Sequence, residues 1–336
     1  MKASQNNKAK LIYLLEVLYE NTDKEHGLTM QEILKKLEEK EIITERRSIY
    51  RDISLLNECG LGIEKKILRN ETFYYIGKRL FSLAELKLLA DSIAASKLIT
   101  KKQAEDLVKK IESLTSRFEA VSLAREVYIE DRAKTENTAV IENIGLISKA
   151  RKEGLCIDFE YLEWNHEKKL VKRENGDKKD ISPCFLELYD GNYYMIALEA
   201  DAQKPKHYRV DKMSGVKISD KPVNRLIYSK ELKNPALYSA KLTGMYSGPE
   251  VRLKFEVPEK KIGILIDHFG AEAVMIPQVR EKNGNYVCFV DVEESELLFG
   301  WIMGVSGSIK LAGPKEIVER YRALLKRNLE ETDNGD

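Results

Sequence analysis

Apolar positions recur with a helical period through the first 59 residues. Leu11, Leu14, Leu15 and Leu18 make one stripe, and "TMQEILKKL" makes a second, opened by Thr29 and Glu32 at capping-box spacing. In "TERRSIYRDISLLNECG", residues 44 to 60, Ile49, Ile53 and Leu56 keep the i, i+4, i+7 spacing of a buried face; Thr44 is placed to cap the start and Gly60 to end the helix. Three helices are expected. Beyond Gly60 the runs shorten, and "GIEKKILRNETFYYIGKR" sets two β-branched and aromatic stretches around "RNE", which reads as a small hairpin.

Ser82 with Glu85 and Thr100 with Gln103 open two more helices, so residues 81–140 read as a linker of packed helices that could also serve as a dimer contact. From Leu155 the period switches to two: Leu155, Ile157, Phe159 and Tyr161 alternate with polar positions. Asn175-Gly176 and Asp190-Gly191 then mark tight hairpin turns, and with "KHYRVDKM" about five antiparallel strands are expected, few enough to close as a small barrel. The tail reads β-α-β-β-α-β plus one helix, with a third turn signal at Asn283-Gly284 and Pro314 in the first turn of the last helix. The fold class is therefore α+β and multidomain. Its parts are residues 1–80, 81–140, 141–230 and 240–330, the last a ferredoxin-like βαββαβ extension.

Helix, helix, helix, hairpin is the order of a winged helix-turn-helix, whose third helix enters the major groove while the hairpin touches the backbone beside it. Charge supports that placement locally. Opposite the apolar stripe of the third helix lie Arg47, Arg51 and Ser54, with Tyr50 and Ser48 on the flanks and Arg46 beside them; Lys65, Lys66, Arg69, Lys78 and Arg79 load the hairpin. These groups bond phosphate oxygens and guanine edges. The chain as a whole carries a net charge of only +1 over 336 residues, so any nucleic-acid surface has to be local. Hydrophobic content of 43% and charged content of 33% describe a folded protein. Cys59, Cys156, Cys184 and Cys288 are scattered without a C-x-x-C pair, which argues against zinc and against a disulfide framework and predicts a reduced, cytoplasmic setting. The stretch "MKASQNNKAKLIYLLEVLYE" is interrupted by Glu16 and lacks a small-residue cleavage site, so it is not expected to be a signal peptide, and no run approaches about 18 apolar residues.

"DGNYYMIALEADAQKPKHYRVDKM" resembles the WYL domain, with Tyr193, Tyr194 and Met195 standing where that family has Trp-Tyr-Leu. Pro183 and the run Tyr208-Arg209-Val210-Asp211-Lys212-Met213 match its second motif, with Lys212 where arginine is common; lysine lacks arginine's planar fork. "RRSIYRDISLL" is similar to the recognition helix of the DeoR-like winged helix-turn-helix that often precedes WYL domains, and the tail resembles the C-terminal extension of the same regulators. The resemblance implies an SH3/Sm-like sensing barrel in a cytoplasmic transcription regulator. Its partners would be an operator duplex, an effector that is a small anion, a nucleotide or a single-stranded nucleic acid, and a second copy of the chain, with no membrane. Strand alternation puts His207, Arg209 and Asp211 on one face and Lys206, Tyr208 and Val210 on the other. Tyr194 falls with Ile196 and Leu198 as core, so Tyr193 and Tyr161 are the expected stacking groups and Arg209 and Lys212 the expected anion contacts, with His207 beside them.

An enzyme has little to draw on. No phosphate-cradling glycine motif occurs, and His26, His166, His207 and His268 are far apart with no metal-ligand pair. No catalytic residue, metal or cofactor is expected. The competing readings are an interaction scaffold without specific duplex binding and an enzyme acting on nucleic acid.

Overall fold

The leucine stripe forms α1 (Ala3–Asn21), followed by β1 (Leu28–Thr29), α2 (Met30–Glu38), α3 (Arg46–Glu58) and the strands β2 (Ile63–Leu68) and β3 (Glu71–Ile76). This computed structural model describes residues 3–123, 134–200, 202, 204–229, 232–239, 241–277 and 284–333. Leu14 and Leu18 of α1, Ile33 and Leu37 of α2 and Ile49 of α3 are fully buried against one another, with Ile53, Leu56, Ile63, Tyr74 and Ile76 completing the cluster. The hydrophobic stripes thus face one core, as their spacing requires. β1, β3 and β2 lie in that order in an antiparallel sheet. Arg69 and Asn70 turn the hairpin with φ of 49° and 66°, the doubly left-handed geometry of a primed turn.

All three expected capping boxes form: Thr29 with Glu32, Ser82 with Glu85 at the start of α4 (Leu83–Ala95), and Thr100 with Gln103 at the start of α5 (Lys101–Glu112). Thr44 does not cap α3. The first turn closes on Glu45, whose carbonyl accepts the Ser48 amide at 3.0 Å, so the threonine hydroxyl lies one residue too early and no side chain bonds the free amides. Gly60, just past the end of that helix, has φ +87°. Arg79 leaves the hairpin and donates through Nη2 to the carbonyls of Tyr19 and Thr22, both at 2.6 Å, while its guanidinium stacks on Tyr19. It therefore caps the carbonyl end of α1. A short α6 (Arg117–Leu123) adds Ser116, whose hydroxyl donates to Asp23.

The chain divides into two compact units, Met1–Thr138 and Ala139–Asp336. The second opens with α7 (Val140–Glu153), ended by left-handed Gly154, and continues through β4 (Leu155–Trp164), β5 (Leu170–Tyr189), β6 (Asn192–Leu198), β7 (Lys206–Arg209), a 3-10 turn at Val210–Lys212 and β8 (Met213–Pro222). The order is β7-β6-β5-β4-β8, all antiparallel. The barrel expected from five short strands is not closed. β7 and β8 stand at opposite edges without pairing, because the helical turn between them takes the backbone out of strand geometry where closing bonds would form.

Asn175-Gly176 is not a hairpin turn either. The chain reverses earlier, at Asn165–Lys169, and β5 runs through the dipeptide as a bulge: Glu160 pairs with Asp177 but Leu162 with Lys172. Asn175 takes φ 57°, and a Cβ on Gly176 would stand 2.6 Å from the Tyr161 carbonyl oxygen, so the left-handed signal was real but served a bulge. Asp190-Gly191 does turn β5 into β6.

After a short α8 (Pro235–Ser239) come β9 (Glu250–Val257), α9 (Ile262–Phe269), β10 (Tyr286–Glu293), α10 (Glu296–Gly304), β11 (Lys310–Gly313) and α11 (Lys315–Asp333). Leu253, Phe255 and Val257 on the central strand pack against Leu265, Phe269, Leu298 and Ile302 of the helices. The sheet order is β10-β9-β11. The remaining strand of the expected four is, among the described residues, a single bridge from Met275 to Phe289, and Asn283 of the third turn signal lies outside them. No helix among the described residues is long and apolar enough to cross a membrane.

Candidate functional site

Two surfaces concentrate the residues singled out above, one in each unit. On α3 the arginines Arg46, Arg47 and Arg51 are exposed and make no hydrogen bond or ion pair among the described residues. Tyr50 is 48% exposed, its ring centroid 6.4 Å from that of Tyr74. The first turn of α3 contains no acid and no side-chain cap, so its positive end faces solvent with cationic side chains beside it. Ser48 is already engaged. Its hydroxyl accepts from Lys10 Nζ, which also lies 2.9 Å from Asp52, a tie between α1 and α3. On the hairpin Lys65, Arg69 and Lys78 are exposed, whereas Lys66 donates to the carbonyls of Lys24 and Glu25 at 2.9 and 2.7 Å and Arg79 is spent on α1. The expected basic patch is thus thinner than the sequence suggested. Ser48, Lys66 and Arg79 hold the fold together; Arg46, Arg47, Arg51, Lys65, Arg69 and Lys78 face water.

In the second unit β4–β7 border a cavity of about 890 Å3. Its charged lining is Arg173, Lys178, Lys206, Arg209 and Lys212 against Glu163 and Glu174, and four tyrosines, Tyr161, Tyr194, Tyr208 and Tyr246, supply its aromatic surface. Arg209 is held rigidly. Nε donates to Asp211 Oδ1 at 3.0 Å, Nη2 to Asp211 Oδ2 at 2.8 Å and to Asn192 Oδ1 at 2.9 Å, and its backbone amide donates to the Tyr161 hydroxyl at 3.1 Å. That pair raises the guanidinium pKa further and leaves Nη1 as the edge without a protein acceptor among these bonds. Lys212 has no hydrogen bond or ion pair among the described residues; burial first, and then the Arg209 charge, push its pKa down. An anion placed beside it would favour the charged form and oppose this downward shift.

Residues 142–218 match the family model of the WYL domain. This stretch is a WYL domain. Among solved structures the whole chain is similar to Proteasome accessory factor B/C (PafBC) of Arthrobacter aurescens, at 17% identity and a TM-score of 0.28, over 98% of this chain and 49% of that one, so it spans about half the length of that relative. No curated protein matches.

Within the WYL domain the cavity brings Tyr161, His207, Arg209 and Lys212 together but leaves out Tyr193. Tyr193 shares a face with Met195 and Ala197 and packs on the cluster under α7; Tyr194, on the face of Ile196 and Leu198, lines the cavity instead. Alternation assigned the faces correctly; β6 is buried on both sides, so both rings pack on a core and Tyr194 lines the cavity as well. Tyr161 is an internal acceptor as well as a wall. His207 has both nitrogens engaged, Nδ1 with the Met245 carbonyl at 2.6 Å and Nε2 with the Tyr238 hydroxyl at 2.8 Å, and burial lowers its pKa. Accepting from Tyr238 and donating to a carbonyl, the ring is a neutral structural link. Arg173 was concealed by the turn reading of Asn175-Gly176, and Tyr246 lies 37 residues beyond Arg209, with no local signal to connect them.

Glu199 sets the charge balance at one rim. Burial pushes its carboxyl up, but hydrogen bonds from Lys206 at 2.5 Å, Tyr208 at 2.6 Å and Lys178 at 3.3 Å prevail and hold the pKa at about 2. Two of the five cavity cations thus share one carboxylate, which offsets one of their two charges. A depressed carboxylate contributes stability that is present above its ordinary range and lost as pH falls through the folded value. Thermal unfolding followed from pH 4.5 down to about 2 should therefore show an acid limb that Glu199→Gln flattens.

Proposed function

We propose that this chain is a ligand-responsive, DNA-binding transcription regulator and no enzyme: the first unit acts as a DeoR-like winged helix-turn-helix on duplex DNA, and the WYL domain takes an anionic effector, a nucleotide or single-stranded nucleic acid. The observation that carries the reading is α3, where three arginines without a partner among the described residues stand at and near an uncapped helix start with no acid in its first turn. Such a helix end favours phosphate, and an isolated structural helix gains nothing from that arrangement. The cavity supports the second half through an unpaired lysine, a fixed arginine and tyrosine rings suited to stacking on a base. A homodimer in the cytoplasm would set two α3 helices about one duplex turn, or a multiple of it, apart on a partly palindromic site.

The test is fluorescence anisotropy of labelled duplex from upstream of the chain's own gene, beside scrambled duplex, over a salt series. Tighter binding to the native site with log K falling by about 0.9 per phosphate contact for each tenfold rise in salt supports the reading. Equal weak binding to both duplexes, or none at low salt with and without single-stranded DNA, would sink it and leave an interaction scaffold.

A further inference from the structure

The cavity wall opposite the WYL strands comes from a distant part of the chain. Gly244, Met245, Tyr246 and Ser247 line it, and they belong to a segment, residues 241–249, that runs on into β9. The segment turns sharply, with Gly244 at φ 67° and Met245 at φ 61°, a left-handed conformation that costs a methionine energy, while Thr243 and Tyr246 bridge across the turn. The Thr243 hydroxyl is buried without a hydrogen bond among the described residues. Strain and an orphaned hydroxyl in one turn mark a conformation imposed by its anchors.

The anchors lie on two sides. Toward the cavity, the Met245 carbonyl accepts from His207 and the Gly244 amide donates to the Tyr189 hydroxyl at 3.2 Å. Away from it, the Gly248 amide donates to Glu293 Oε2 at 2.8 Å, the Pro249 carbonyl accepts from the Glu294 amide at 3.0 Å and the Lys241 carbonyl from the Glu293 amide at 2.7 Å. Glu293 ends β10, and Glu294 leads into α10. Contact there is close: a Cβ on Gly248 would stand 1.9 Å from the Glu294 carbonyl oxygen, and one on Gly244 would stand 2.5 Å from Leu297. Tyr246, 61% exposed, lines the cavity.

We propose that residues 241–249 form a strap that couples the state of the WYL cavity to the end of β10 and the start of α10. A group stacking on Tyr246 or displacing the Met245–His207 bond would release the strained turn, and the shift would pass through Gly248 and Pro249 to Glu293 and Glu294. The inference rests on the proposed effector only for the trigger; the coupling itself belongs to the apo chain. Coupling between two sites is reciprocal, so it can be tested from either end without a ligand.

The experiment is amide hydrogen exchange by mass spectrometry on the full chain. His207→Leu removes both cavity-side bonds of the ring, and Gly248→Ala forces the far side. His207→Leu is expected to raise exchange in the strap and, roughly fivefold or more, the low end of allosteric coupling, in peptides spanning 290–300. Gly248→Ala should raise it in the strap and in peptides spanning 189–198 and 206–212. His207→Asn, which keeps a donor near the Nδ1 position, should restore the far peptides. Effects that stop at the strap in both variants overturn the proposal. Should either variant unfold the unit, seen as uniform loss in β4 and α11, Tyr238→Phe, which removes the hydroxyl bonded to His207 and to Ser247, and Glu293→Met, which removes the acceptor of the Gly248 amide, give the same reading. Failure here leaves duplex binding and effector binding untouched, and the converse holds.

Discussion

Arg47→Ala with Arg51→Ala is expected to weaken binding of the operator duplex by roughly 2–6 kcal/mol, from about 1–3 kcal/mol for each arginine that reads a base edge. That spans more than one to about four orders of magnitude in Kd. Both side chains are exposed and without a partner among the described residues, so thermal stability should stay within about 0.5 kcal/mol of the parent, as for other surface changes. Anisotropy titration beside a melting curve separates the two quantities. A loss that is uniform across sequences would mark the pair as phosphate contacts, with the salt slope falling by about 0.9 for each. Affinity within twofold of the parent would remove α3 from the DNA surface. Ser48→Ala is a useful contrast, because its hydroxyl meets Lys10 and its loss acts on the α1–α3 tie instead of on DNA.

The second large effect separates Arg209 from Lys212. Arg209→Ala leaves the buried Asp211 carboxylate without its bidentate partner and Asn192 without its donor, at a cost of about 1–3 kcal/mol or more for a charged acceptor, read as a lowered Tm of the second unit. Any loss of effector response in that variant would mix folding with binding. Lys212→Ala breaks no hydrogen bond or ion pair among the described residues, so stability should hold. Affinity for a nucleoside phosphate or short single strand should fall by about 1.5–3 kcal/mol, the worth of a hydrogen bond to a charged group. Calorimetric titration of both variants checks this. Unchanged affinity in Lys212→Ala would place the anion elsewhere in the cavity, with Arg173, exposed and 3.5 Å from Glu163, as the next cation to test.

Local chemistry was legible in the residues. The capping boxes at Thr29, Ser82 and Thr100, the stripe Ile49, Ile53 and Leu56 and the Asp190-Gly191 turn all depend on neighbours within a few positions, and they formed as spacing requires. Thr44 failed by one residue, a margin that backbone hydrogen bonding alone decides.

What spacing could not supply was partnership between distant groups. Lys66 and Arg79 read as hairpin cations, yet carbonyls 41 to 60 residues away claim them. Asn175-Gly176 has the same left-handed preference in a turn and in a bulge, and only the register of β4 against β5 chose the bulge and brought Arg173 to the cavity. Tyr193 and Tyr194 alternate faces on any strand; α7 covering one face and the cavity opening on the other gave them their roles. The sequence by itself determined the elements, their buried faces and the exposed arginines of α3, because those follow from side-chain periodicity along one backbone. The tertiary structure decided the open sheet, the paired and unpaired cations and the 241–249 wall, because each depends on which remote carbonyl or carboxylate reaches a given donor first.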